Sequence, residues 1–252
     1  MALIALLIGI LAPAVSGVRE AGRRTVCASN IRQIQLANDL FAEDHGDRRV
    51  AGAVDLTGAN LHRWYGVRQN TRETFDPALG DITPYLDGSG PSRCIRACPS
   101  FAHTLGDLHS RGAGFEAGAG GYGYNNAFVG VERRLSKYGN WMIASDATGA
   151  RRSKFASPSS TIAFADAALA GDELIEYSFV EPRKWPQRPR LRPDPSIHFR
   201  HRGRANVVWL DGHVGAEQMS YTRTSGVFKA DPEPLGIGWF GADDDNRLFD
   251  YE

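Results

Sequence analysis

The chain has 252 residues, with 29 Lys+Arg balanced by 29 Asp+Glu. Its length is enough to bury a core without metal or disulfide staples, and 42% hydrophobic against 23% charged content excludes a disordered chain. Zero net charge counts against a dedicated nucleic-acid binder, three cysteines are too few for a disulfide scaffold, and 28 Gly with 13 Pro point to a turn-rich body.

Residues Met1 to Val18 carry no charged side chain. As a helix they span about 27 Å, just short of the roughly 30 Å hydrocarbon core. A cleaved secretory signal would place a basic segment before the run, although Ala12-Pro13-Ala14 resembles a cleavage site. A buried core helix is a third reading, but so apolar a run offers no solvent face. The expectation is a retained anchor. From Arg19 to His45 there is no Pro and one Gly, with Cys27, Ile31, Ile34 and Phe41 near one face and Asn38 interrupting the stripe. Gly46 is a helix stop. One helix from about Leu3 to His45, bent near Pro13, is predicted, its first half in lipid and its second packed on a body.

That body, residues 47–252, holds short strand-like runs at Trp141–Ala144, Thr161–Ala165, Leu174–Val180, Ser196–His201, Ala205–Leu210 and Val214–Met219. Asp211-Gly212 is a hairpin turn between two apolar runs and Arg202-Gly203 a weaker one, predicting a three-stranded antiparallel meander. Residues 112–123 are glycine-rich and read as loop. Residues 181–195 hold five prolines and read as an extended connection.

The stretch IALLIGILAPAVSGVREAGRRTVCASNIRQIQLA resembles bacterial prepilin-type proteins, the pilin and type II secretion pseudopilin superfamily. The likeness is to the branch with His, nine residues, then Asp-Gly, here His201 with Asp211-Gly212 and then His213. Cys98-Pro99-Ser100, Tyr122-Gly123-Tyr124-Asn125, Ser157-Pro158-Ser159, Ile162 to Asp166 and Gly238-Trp239-Phe240-Gly241 also fit, in order. The resemblance implies an α+β, pilin-like fold: a long N-terminal helix (1–46, with residues 1–18 as anchor) on a loop-rich antiparallel sheet (47–252). It implies a structural, non-enzymatic subunit of a type II secretion or type IV pilus-like assembly. Self-association and contacts with other pseudopilins run through the helix, with the secretion machinery and the membrane as further partners and neither nucleic acid nor a small-molecule substrate. The family's basic leader, cleavage point and early Glu are not matched, since Met1 falls inside the apolar segment; an upstream start would supply them. Arg19, Arg23 and Arg24 alone would place the body in the cytoplasm. The resemblance places it in the periplasm or outside the cell, on a single inner-membrane pass, and that is the expectation.

The cysteines follow from an exported body, since oxidising compartments pair thiols. Cys27 lies on the packing face of the helix, and the family pattern shares both its position and Cys98. A Cys27–Cys98 bridge is expected, with Cys27–Cys94 or three reduced thiols as alternatives. His198, His201, Asp211 and His213 have metal-ligand donor types and support an alternative reading as an exported metal-binding or hydrolytic domain. An extended strand, however, would hold His201 and Asp211 roughly 20–30 Å apart. A secreted surface-binding module is the other alternative. Gly118-x-Gly120-x-x-Gly123 fits a dinucleotide fingerprint by letter but lacks the flanking strand and helix. Residues 183–204 carry eight basic side chains and read as a solvated loop rather than a phosphate contact. Asp243, Asp244, Asp245 and Asn246 offer oxygen donors for Ca2+, as major pseudopilins do in a C-terminal loop, without EF-hand spacing.

Overall fold

The computed structural model describes residues 2–86, 94–110 and 116–251, with side chains described from Val15 onward except that of His109. Helix α1 (Ala2–Asp44) runs unbroken through Pro13 and ends where predicted. Gly46 (φ 64°) takes the left-handed conformation that stops a helix, and Asp47 (φ 68°) follows it, its N–H reaching back to the carbonyl of Ala42 at 2.8 Å. Asn38 does not break the packing stripe. It is buried, donating to the Tyr124 hydroxyl at 3.3 Å and accepting from the Val50 N–H at 3.0 Å. The buried face of α1 therefore includes Cys27, Ile31, Ile34, Ala37 and Asn38, with Asn30, Gln35 and Ala42 also buried, a helical spacing.

The strands are short. β1 (His62–Arg63) pairs with β2 (Gly66–Val67). A second helix, α2 (Ala102–Ser110), precedes β3 (Tyr122–Tyr124), and β4 (Glu132–Leu135) pairs with β5 (Trp141–Ser145). β6 (Ile162–Asp166) is buried along its whole length, and β7 (Leu169–Ala170) pairs with β8 (Leu174–Ile175). β9 (Ile197–His198), β10 (Arg204–Trp209), β11 (Val214–Gln218) and β12 (Ile237–Gly238) complete the set. The largest sheet among the described residues has the order β11-β10-β6-β3, all antiparallel, and α1 packs on β10 and β6. The protein is thus an α+β fold with one N-terminal helix against several small antiparallel sheets.

Asp211-Gly212 does turn the chain between β10 and β11. The expected meander does not form, because β9 pairs with β12 while β10 takes β6 as its other neighbour. The reason is burial: β6 is buried on both faces, as a central strand is, with residues 162–165 apolar and Asp166 closing the run, whereas β9 is two residues long. The glycine-rich stretch yields strand β3 at its end, since Gly123 lets β3 approach Phe179 and Ala167. A Cβ there would sit 2.6 Å from the Phe179 carbonyl and from the Ala167 Cβ. Gly123→Ala is expected to destabilise the protein by about 1–3 kcal/mol, read by urea denaturation, because backbone rather than a flexible side chain would have to move.

The membrane expectation is corrected. Among the described residues, no helix is long and apolar enough to cross a membrane. The body already flanks the run assigned to lipid: a Cβ on Gly17 would lie 3.0 Å from Nη2 of Arg202. Three residues on, Glu20 bonds Ser100 and His201 of the body. A single-pass inner-membrane anchor with a periplasmic or external body is therefore not supported.

Candidate metal centre

Four segments distant in sequence meet where α1 crosses the sheet. Cys27 comes from the buried face of α1, Cys98 from the loop before α2, Asp166 from the end of β6 and His201 from the turn between β9 and β10. All four side chains are buried, and one ligand atom from each lies within 4.8 Å of the others. The Cys27 thiol donates to Asp166 Oδ1 at 3.2 Å, Cys98 Sγ lies 3.6 Å from His201 Nε2, and that nitrogen lies 3.4 Å from Asp166 Oδ2. A tetrahedral ion with bonds of about 2.0–2.3 Å sets its ligands about 3.3–3.8 Å apart, and one donor atom from each of the four residues already lies within 4.8 Å of the others.

The surroundings orient the donors. His201 Nδ1 lies 2.9 Å from Glu20 Oε1, which leaves Nε2 to face the cluster. Glu20 also accepts from Ser100 Oγ at 2.8 Å and pairs with Arg23. The Asn206 N–H donates to Asp166 Oδ2 at 2.7 Å, and the Tyr122 hydroxyl reaches Cys27 Sγ at 3.5 Å. Arg200 stands 3.9 Å from Asp166 Oδ1, stacked on Phe101, with Nε and Nη1 buried and lacking hydrogen bonds. Two thiolates and a carboxylate around a divalent ion leave one negative charge, which Arg200 is placed to offset.

Without an ion the protons distribute unequally. Burial pushes the Cys27 thiol far up, with Cys98 and Asp166 adding to the effect. The bond from Cys27 draws Cys98 down against the cost of burial, helped by His201 and Arg200. Burial lowers His201, but its bonds to Asp166, Cys98 and Glu20 outweigh it and raise the ring to about 10. Burial raises Glu20, and the bonds from His201, Ser100 and Arg23 more than reverse it. These shifts favour a charged His201 ring beside the Cys98 sulfur and retention of the proton on Cys27.

No family model, curated protein or solved structure matches this chain. The pseudopilin role in a secretion assembly thus finds no support in the comparisons, and the anchoring it requires is not supported by the structure. The expectation of a purely structural, non-enzymatic subunit is corrected too, because the buried cluster has the make-up of a metal or catalytic site. The Cys27–Cys98 disulfide is absent. Both are free thiols, as is exposed Cys94, and the two sulfurs face Asp166 and His201 instead. The family pattern implies a bridge between Cys27 and Cys98; the two side chains do converge, but as thiols.

Of the His/Asp set, the centre includes only His201. Strand β10 separates it from Asp211, as the extended-strand reading requires. Asp211 caps its own turn, bonding the His213 N–H and ring, and His213 stacks on Trp209. Gly212 (φ 86°) supplies the turn conformation. His198 is buried against Phe101. The calcium candidates meet cations instead: Asp244 holds Arg192 and Lys184, while Asp243 and Asp245 hold Arg247. Asn246 bonds both the N–H and the carbonyl of Lys184. The donors consistent with a metal lie in the cysteine cluster, and their sulfur content is not that of a calcium site. Sequence reading missed Asp166 and Glu20. The available signals were an acid ending a wholly apolar strand run and the first acid of the N-terminal helix.

Proposed function

We propose that this chain is a metal-binding module in which Cys27, Cys98, Asp166 and His201 hold a zinc-class divalent ion. The supporting observation is the convergence of four buried donor atoms from four separate segments within 4.8 Å. Two thiolates, an imidazole and a carboxylate suit zinc among common ions. Full burial of all four favours a closed, structural site over a catalytic one, which keeps a position open. The ion would tie α1 to β6, to the Cys98 loop and to the turn before β10. The helix-on-sheet layout is also compatible with a pilin-like fold of the kind the sequence resembles.

A second reading rests on the row Cys98–His201–Glu20, at 3.6 and 2.9 Å, which matches a thiol nucleophile, its base and an orienting carboxylate. Complete burial of Cys98 argues against substrate access. Purified protein titrated with Co2+ is expected to bind one ion per chain with a sulfur-to-cobalt charge-transfer band, lost in Cys27→Ser and Cys98→Ser. Absence of that band overturns the metal reading. Rapid alkylation of Cys98 by iodoacetamide in the metal-free protein would favour the second reading.

A further inference from the structure

A separate cavity of about 330 Å3 lies between the proline-rich connection and the loop around residues 226–228. Its walls are largely apolar, including Leu169, Trp185, Val227 and Phe228. Three of these stay open to solvent, Trp185 at 37%, Val227 at 74% and Phe228 at 42%, an unusual exposure for large apolar side chains gathered at one cavity. Tyr177 and Glu181 also line it, and the Tyr177 hydroxyl donates to Glu181 Oε1 at 2.6 Å.

Glu181 makes no ion pair among the described residues, and its carboxylate has one side-chain hydrogen bond, from Tyr177, with Arg133 acting on it only at longer range. Asp194 accepts from Ser225 Oγ and from the N–H groups of Gly226 and Val227, and Arg192 engages both oxygens of Asp244. Burial lifts the Glu181 acid to about 7, with Asp194 adding to the rise and Tyr177 and Arg133 opposing it. Glu181 is half-buried and lines the cavity; a carboxylate partly withdrawn from water without an ion-pair partner is costly, and a cation supplied from outside reduces that cost. Aromatic faces beside it attract cations as well. A neutral ligand would leave Glu181 unpaired, and an anion would be repelled.

We propose that this cavity binds an organic cation, its ammonium or guanidinium group meeting Glu181 and its apolar body lying against Trp185 and Phe228. The cavity's size is at the lower end of the range for small-molecule sites, so the ligand is a compact one. This proposal does not rest on the metal centre.

The test titrates the full chain at pH 8 with benzylammonium and with its neutral counterpart benzyl alcohol, followed by calorimetry. Benzylammonium is expected to bind about tenfold or more tightly than the alcohol, and Glu181→Gln to erase that preference. Lowering the pH from 8 to 6 should weaken the cation about tenfold as Glu181 takes up a proton. Of the other groups facing it, Tyr177 is held well above 10 and Arg133 stays cationic near 10, while Asp194 and Arg192 keep the partners named above. Equal affinity for the two probes, or no binding of benzylammonium at millimolar concentration, overturns the proposal. Because the two wild-type titrations need no variant, misfolding of Glu181→Gln cannot hide a negative result.

Discussion

Adding Zn2+ at about a hundredfold over its Kd to metal-free protein is expected to raise the Tm by about 5–11 °C. An ion that binds only the folded state at that excess adds about 2.7 kcal/mol, and in a chain of this size each kcal/mol moves Tm by about 2–4 °C. The metal-free chain should still fold, unlike a minimal zinc domain. Its helix is also held by Ile31, Ile34 and Ala37 in the core, by Asn38 on Tyr124 and Val50, and by Gln35 on the Leu210 carbonyl. The ion therefore adds to an existing core and pins chiefly the Glu20–Cys27 end of the contact. Acid should abolish the shift, because Cys27 must lose a proton that burial holds tightly. Differential scanning fluorimetry of wild type and Cys27→Ser/Cys98→Ser, with and without Zn2+, measures it. A shift of equal size in the double variant would mean that the ion binds elsewhere.

Arg63→Ala is expected to cost about 3–5 kcal/mol, a large share of the roughly 5–15 kcal/mol that holds a typical domain together. Both members of the Arg63–Glu116 pair are 2% exposed, with Nη2 to Oε1 at 2.6 Å and Nε to both oxygens at 3.0 Å. The Ser178 hydroxyl donates to the same carboxylate, and the Tyr65 hydroxyl donates to the Glu116 backbone carbonyl at 2.7 Å. The guanidinium also lies over Phe75 and Phe179. Removing the arginine strands a carboxylate in the core and opens a void between two aromatic rings. Truncating both partners to apolar residues of similar volume should recover most of the loss, since neither charge is then left alone. Guanidinium denaturation of wild type, Arg63→Ala and Arg63→Met/Glu116→Leu makes the comparison. Equal destabilisation of both variants would show that packing rather than stranded charge sets the cost.

The sequence by itself determined the elements whose signals are local. Helix α1 followed from a long stretch with no interior proline after Pro13 and from Gly46, whose left-handed backbone stops it. Strands β6, β10 and β11 followed from apolar runs bounded by turn residues, and Asp211-Gly212 marked the turn joining the last two. Cys27 was legible as a packing-face residue, whereas the pairing with Cys98 was expected only from the family resemblance, not from a local signal. Only the tertiary structure decided which strands pair, because that depends on non-local burial: β6, buried along its whole length, takes the place beside β10 that chain order offers to β9. It also decided what the cysteines do. Their partners, Asp166 and His201, lie 139 and 103 residues away, a separation that periodicity and spacing do not span. A charge-free N-terminal run reads as a lipid anchor by hydropathy alone. The fold instead sets Gly17 beside Arg202 and Glu20 against His201, contacts that hydropathy, summed along the chain, does not contain.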